Sequence, residues 1–263
     1  MPHALINGIQ LYHEVTGPSD GTPILMSNSL ASNLTMWDLQ VEPLEMEGFK
    51  VVRYDSRGHG QSDAPEGAYS IEMLADDAAG LLDHLNIPSA HYCGLSKGGM
   101  VGQMLGVRHP DRIKTLTLAD TAAHMPATDT WAQRIVTVTD SGMEAVVDGT
   151  VDRWFTAPGQ QRIPDEVEKV RDMILSTPVA GFIGCCRAIM AMDMRPTNPS
   201  IKKPTLVICG EEDTGTTPVQ AKEIADAIPG ATLELIPSAA HLANIEQPVA
   251  FTNALLKLVM NNR

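Results

Sequence analysis

Short runs of Val, Ile and Leu recur along the chain, and between them apolar positions fall three and four residues apart. The first pattern marks strands buried on both faces, and the second marks amphipathic helices. Ala4–Ile6 and Ile9–Val15, broken at Asn7-Gly8, predict a β-hairpin. Ile24–Met26, Phe49–Tyr54, Ala90–Cys93, Thr115–Ala119, Thr205–Cys209 and Thr232–Ile236 predict six further strands. Helical spacing predicts helices over Met36–Glu47, closed by Gly48, over Ile71–Leu85, over Val219–Ile228 and over Val249–Met260. Another runs from the glycines after Ser96 to about His109. Alternation of this kind implies an α/β fold, a mostly parallel sheet with helices on both faces.

Residues 122–198 break the rhythm. They offer no clear strand but four helical patterns, Thr130–Thr139, Met143–Trp154, Val167–Leu175 and Phe182–Met192, before Pro196 and Pro199 close the stretch. Helices inserted between strands read as a lid over the carboxyl edge of the sheet, where ligands bind in open α/β folds. The organisation expected is core residues 1–121, a helical lid over 122–198, and core residues 199–263. No internal repeat or low-complexity tract interrupts it.

Composition narrows the function classes. An apolar share of 43% excludes a disordered chain, and 263 residues suit one large domain. Lys and Arg number 19 against 32 Asp and Glu, a net charge of −13 that disfavours nucleic acid and anionic membrane surfaces as partners. No apolar run approaches a membrane span, and the first residues lack the basic-then-apolar order of a signal peptide, so a cytoplasmic protein is expected. The four cysteines form no disulfide framework and no metal-ligand spacing. Cys93 and Cys209 end apolar runs and read as buried, and a bridge between adjacent Cys185 and Cys186 would be strained. The oligomeric state is not written in the sequence.

The candidate chemistry starts at Gly94-Leu95-Ser96-Lys97-Gly98, a G-x-S-x-G run between an apolar strand and an apolar helix. In that context it reads as a nucleophile elbow, a tight strained turn that lifts the Ser96 hydroxyl clear of the sheet at the positive end of a helix. A serine hydroxyl needs a base. Of eight histidines, His3, His13, His84 and His91 fall in surface strands or at a helix end, and His109, His124 and His59 in other connections. His241 follows the last strand in Ser238-Ala239-Ala240-His241, a loop that can reach the elbow, and is assigned as general base and then acid. Asp213, directly after Thr205–Cys209, is assigned as the acid that orients it, with Glu211, Glu212 and Asp120 as rivals. The oxyanion hole is assigned to the backbone N–H groups of Lys97 and of Leu30 in Ser27-Asn28-Ser29-Leu30.

These residues resemble the α/β-hydrolase superfamily from end to end, and Asp55-Ser56-Arg57-Gly58-His59-Gly60-Gln61-Ser62 resembles its D-x-R-G-x-G-x-S turn. A closer resemblance is to the 3-oxoadipate enol-lactonases. It rests on Ser27-Asn28-Ser29-Leu30 with Met36-Trp37, Cys93-Gly94-Leu95-Ser96 with Gly98-Gly99-Met100, Arg153-Trp154-Phe155-Thr156, Asp193-Met194-Arg195 and His241-Leu242-Ala243-Asn244-Ile245-Glu246. Two positions depart from that pattern. Lys97 stands where the family usually has an apolar residue, often Met, and Ala31-Ser32-Asn33 replaces a G-T-D-like run. The Lys97 side chain is expected to snorkel over the elbow helix, or else to point under the lid.

The resemblance implies an α/β-hydrolase fold with an eight-stranded type of sheet and a small-molecule ester or lactone as substrate. It also implies two-step acyl transfer through Ser96, with no metal or organic cofactor. An enol-lactone carries a carboxylate, so a local cation is expected, with Arg134, Arg187 and Lys97 as candidates against a plain solvated helix face. Trp131 and Trp154 either line the lid or brace it, and Met100 and Met104 read as core. The alternatives are a general carboxylesterase or cofactor-free perhydrolase, a carbon–carbon bond hydrolase, and a receptor that binds without turnover.

Overall fold

The structure is a computed structural model that describes residues 2–126 and 128–263; Met1, and Ala127 within the expected insertion, lie outside the described residues. Strands β1 (His3–Ile6) and β2 (Ile9–Thr16) form the expected hairpin, with Asn7 and Gly8 at positive φ in its turn. Then come β3 (Thr22–Ser27), helix α1 (Asp38–Met46), β4 (Phe49–Tyr54), α2 (Ile71–His84), β5 (Ala90–Leu95), α3 (Lys97–Arg108) and β6 (Ile113–Ala119). Five helices follow without a strand: α4 (Thr128–Ser141), α5 (Glu144–Trp154), α6 (Ala157–Arg162), α7 (Pro164–Leu175) and α8 (Val179–Ala191). The chain ends with β7 (Thr205–Gly210), α9 (Pro218–Ala227), β8 (Thr232–Ile236), α10 (Ala243–Glu246) and α11 (Pro248–Met260).

The eight strands make one sheet in the order β1-β2-β4-β3-β5-β6-β7-β8. Only the β1–β2 and β2–β4 pairs are antiparallel. From β3 the chain winds to one side to make β4, then crosses to the other side to make β5. The strand order therefore reverses between β3 and β5, and the crevice at their carboxyl ends is where an open α/β sheet binds its ligand. Ser27 pairs with Gly94 at that end, so the loop after β3 and the turn after β5 leave the sheet side by side.

Two expectations for histidines are corrected. His13 and His91 were placed in surface strands, yet His13 is 6% exposed and His91 is fully buried. His91 lies in β5, which is buried along its whole length, and its Nδ1 meets Thr115 Oγ1 at 2.8 Å. All four cysteines are buried and unpaired, as their apolar settings suggested. The first helix was expected from Met36, but a 3-10 turn over Leu34–Trp37 comes first. Asn33 caps it by accepting from the Thr35 amide, and the Asp55 carboxylate takes the Leu34 amide at 2.7 Å. The short helix α6 was not foreseen. Thr156 caps it at the Gly159 amide, and Pro158 takes one of its first positions, where a missing N–H costs nothing.

The inserted helices are stitched to the core at their stem. His124 and Asp193 form an isolated antiparallel bridge, and the Met194 amide donates to Ala123 O at 2.7 Å.

Candidate active site

The turn between β5 and α3 holds Ser96 at φ 56° and ψ −113°, a conformation that costs an L residue strain. Surrounding contacts fix it there. The Ser96 amide donates to Ala119 O at 2.8 Å, and Thr121 Oγ1 donates to Ser96 O at 2.7 Å. The flanking glycines are sterically required. A Cβ on Gly94 would come within 2.2 Å of Gly98 O, and one on Gly98 within 2.3 Å of Ser27 O. The Ser96 hydroxyl makes no hydrogen bond among the described residues, and it faces a cavity of about 260 Å³ that also contains His241.

His241 stands on the loop after β8, and its Nδ1 lies 2.8 Å from Asp213 Oδ2. An ionised carboxylate only accepts, so the proton is on Nδ1 and Nε2 carries the free lone pair. Burial alone would raise the Asp213 carboxyl. The His241 ring and the amide and hydroxyl of Thr216 outweigh burial and hold it below the ordinary carboxylate range. Its second oxygen accepts from the Gly215 amide at 2.7 Å and the Thr216 amide at 3.0 Å.

Asp120, the rival at the end of β6, has the opposite character. Burial, and then the charge of Asp213, push its carboxyl well above the ordinary range. Its Oδ1 accepts the Gly210 amide at 2.8 Å, while Oδ2 is buried without a partner. Asp120, Cys209 and Asp213 bring one donor atom each within 4.8 Å of one another. Burial keeps the Cys209 thiol protonated and pushes the Asp120 carboxyl toward its neutral form, and Asp213 is committed to His241, so the trio is poorly disposed toward a cation. Glu211 and Glu212 are exposed and make no contact with His241.

The loop after β3 forms the facing wall. Asn28 Nδ2 donates to Ser29 O and Ser32 O, each at 2.9 Å, and Asn28 Oδ1 accepts the Ser56 amide at 3.1 Å. Ala31 sits at φ 55°, and its amide donates to His59 Nε2 at 3.0 Å. The backbone N–H groups of Leu30 and Lys97 have no hydrogen-bond partner among the described residues. Leu30 and Ser96 both line the cavity.

The inserted helices supply the rest of the wall, including Trp131, Arg134, Arg153, Trp154 and Phe182. The Arg134 guanidinium lies 4.8 Å from the centre of the Trp131 ring. Trp154 packs on His241 with ring centroids 5.9 Å apart. Burial lowers the Arg134 guanidinium from its ordinary value, and burial and then the charge of Arg134 do the same to Arg153. Among the described residues, the Arg153 guanidinium bonds only the Thr150 hydroxyl, at 3.2 Å. Among the described residues no carboxylate lies within ion-pair distance of either guanidinium.

Of the cation candidates, then, Arg134 faces the cavity. Arg187 is exposed to solvent, and Lys97 is fully buried rather than snorkelling or pointing under the helices. Arg153 had been singled out only as part of the Arg153–Thr156 motif, and its presence in the cavity depends on which face of α5 turns inward. Met100 lines the cavity as well as the core. A larger cleft of about 670 Å³ lies between α7 and the start of α1, and it contains neither Ser96 nor His241.

Glu246 ties the two walls together. Its carboxylate accepts from the Thr156 amide and hydroxyl on the insertion and from the Ala240 amide beside His241, the last at 2.9 Å. The Leu242 amide adds a bond to Trp154 O at 3.1 Å.

Residues 22–151 match the family model described as the alpha/beta hydrolase fold. A 3-oxoadipate enol-lactonase of Acinetobacter baylyi is 36% identical over 247 residues, covering 94% of this chain and 92% of the relative. The crystal structure of the enol-lactonase from Burkholderia xenovorans superposes with a TM-score of 0.96 at 42% identity, over 98% of this chain and all of that one. A thermophilic esterase from Thermogutta terrifontis, solved with malate bound, superposes with a TM-score of 0.91 at 31% identity, over 99% and 97% of the two chains. With an elbow serine after β5, an acid after β7 and a histidine after β8, on a sheet shared with these relatives, the chain belongs to the α/β-hydrolase family.

Proposed function

We propose that this protein is a serine hydrolase that opens a lactone bearing a carboxylate, of the 3-oxoadipate enol-lactone type. The observation that carries the choice of substrate is the pair of guanidinia, Arg134 and Arg153, that share a cavity with Ser96 and His241 and, among the described residues, make no ion pair. A carboxylate on the substrate supplies a partner. Hydrolysis of an ester bond agrees with the enol-lactonase and esterase relatives, and residues 122–198 act as the lid that brings recognition to the site.

The reaction proceeds in two steps. His241 Nε2 takes the Ser96 proton as Oγ attacks the lactone carbonyl, and Asp213 stabilises the imidazolium that forms. The oxyanion is held by the Leu30 and Lys97 amides, which no protein group competes for. Collapse breaks the acyl–oxygen bond, and the His241 imidazolium returns its proton to the leaving enolate, which restores the Nε2 lone pair. In a lactone the leaving enolate remains tethered to the acyl group, so both ends stay bound while His241 activates a water to release Ser96. Arg134, stacked on Trp131, anchors the substrate carboxylate, and Trp154 seals the cavity over His241.

A kinetic panel tests this reading. 3-Oxoadipate enol-lactone is expected to exceed simple γ- and δ-lactones and 4-nitrophenyl esters by about 100-fold or more in kcat/KM. A fluorophosphonate should label wild type and fail to label Ser96→Ala. Simple esters turned over faster than the enol-lactone would mark a general esterase, and absence of labelling on folded protein would exclude a serine nucleophile.

A further inference from the structure

Lys97 follows the elbow serine, yet its side chain lines no part of the cavity. It runs beneath the loop after β3, fully buried, where Nζ donates to Ser56 Oγ and lies 3.4 Å from His59 Nδ1. The groups around it are few. The loop after β4 contributes Asp55, Ser56 and His59, with Arg57 bound in a two-toothed pair to Asp77 of α2. Helix α8 contributes Cys185, whose thiol burial keeps protonated. The Asp55 carboxylate is spent on the Leu34 and Gln61 amides, at 2.7 and 2.8 Å. Among the described residues, the ammonium has no ion-pair partner.

Ser56 connects this ammonium to the oxyanion loop: its Oγ accepts from Nζ, and its amide donates to Asn28 Oδ1 at 3.1 Å. His59 lies beside the pair. Its Nε2 accepts the Ala31 amide, so Nε2 must carry a lone pair and the ring must be neutral, with its proton on Nδ1 toward Arg57 O at 3.2 Å. Burial, and then the charge of Lys97, oppose a second proton on the ring. The Ala31 bond in turn supports a left-handed residue next to Leu30, whose amide faces the cavity side of the loop. A charged ammonium in a low-dielectric interior acts over a longer range than one in water, and its sign favours negative charge developing at the site.

We propose that Lys97 is a positioning residue for the reaction, acting through Ser56 and Asn28 on the oxyanion loop, and that turnover is faster with its side chain in the charged form. This rests on the serine-hydrolase reading above. The direction of the pH dependence follows directly. Acylation needs His241 neutral, which favours higher pH, and is faster with Lys97 charged, which favours lower pH, so kcat is bell-shaped rather than sigmoidal. Burial pushes the Lys97 amine down to about 8, which places the falling limb above neutrality.

The test uses 4-nitrophenyl acetate, a neutral ester that does not engage Arg134, with kcat measured from pH 6 to 10 after subtraction of spontaneous hydrolysis. Wild type is expected to lose about tenfold in kcat between its maximum and pH 10, with KM nearly constant. Lys97→Met should remove the alkaline limb and leave a lower plateau, and Lys97→Arg, which keeps its charge, should move the limb beyond pH 10. A flat wild-type profile to pH 10 overturns the proposal, with or without folded variants. So does an alkaline limb that persists unchanged in Lys97→Met. Failure of the parent reading looks different: no ester turnover at any pH and no fluorophosphonate label on Ser96.

Discussion

The cavity has two walls built on opposite principles. On the core wall, the serine turn, the loop after β3 and the Asp213–Thr216 turn commit nearly every polar atom to a protein partner before any ligand arrives. The backbone amides of Leu30 and Lys97 have no partner among the described residues. On the helical wall the opposite holds: two guanidinia are desolvated and share one space, and among the described residues neither makes an ion pair. The difference separates two jobs. Chemistry needs donors fixed in advance, because reorganisation during the reaction costs rate. Recognition of an anion needs charge whose pairing is completed only by the ligand. A chain of net charge −13 thus places two of its 19 Lys and Arg residues, Arg134 and Arg153, in the wall of one cavity, and its global charge bears on solubility rather than on that local field.

The sharpest way to break this contrast is on the core wall. Asp213→Asn leaves the shape intact but favours the wrong His241 tautomer, and kcat is expected to fall by roughly 10⁴-fold with little change in KM. A loss of less than about tenfold would mean that another carboxyl orients the histidine. On the helical wall, Arg134→Met should raise KM for the carboxylate-bearing lactone by about 30-fold while leaving kcat/KM for 4-nitrophenyl acetate within about twofold. Equal losses on both substrates would make Arg134 a structural brace. The smallest effect is expected at Asp120. Burial pushes its carboxyl toward the neutral form, which an amide mimics, so Asp120→Asn should keep kcat/KM at pH 7 within about threefold. Its folded carboxyl is raised above the unfolded value, so folding takes up a proton and stability falls as pH rises through the carboxylate range. Removing that loss should raise Tm at pH 7 by a few degrees, roughly 1 kcal/mol. A lower Tm, measured calorimetrically, would show that Asp120 is charged in the fold.

What the sequence disclosed follows from how local each feature is. Phe49–Tyr54 and Thr232–Ile236 coincide with β4 and β8 because a bounded apolar run is itself the strand signal. The elbow was legible because its steric demands fall within Gly94–Gly98. The helix α6 was missed because Pro158 and Gly159 read as loop, and its cap depends on Thr156 and Glu246, 90 residues apart. Lys97 escaped for the same reason, since its partners Ser56 and His59 lie 41 and 38 residues earlier. Arg134 and Arg187 looked alike in sequence, both on amphipathic helices. Only the packing of α4 and α8 turns the first toward the cavity and the second toward solvent.

The Glu246 contact has a mechanical consequence. The insertion is held at its stem by the His124–Asp193 bridge, and a second time by Glu246, which clasps Thr156 and the loop of His241 together. A third tie joins α8 to the loop after β4, where the Tyr69 amide donates to Gly184 O at 3.3 Å and Gly58 packs against Gly181 with no room for a Cβ on either. With three ties the helical layer has no single hinge about which to swing. The Glu246 clasp, with the Leu242 amide bound to Trp154 O, couples Trp154 to the His241 loop, so that a displacement of one is transmitted to the other.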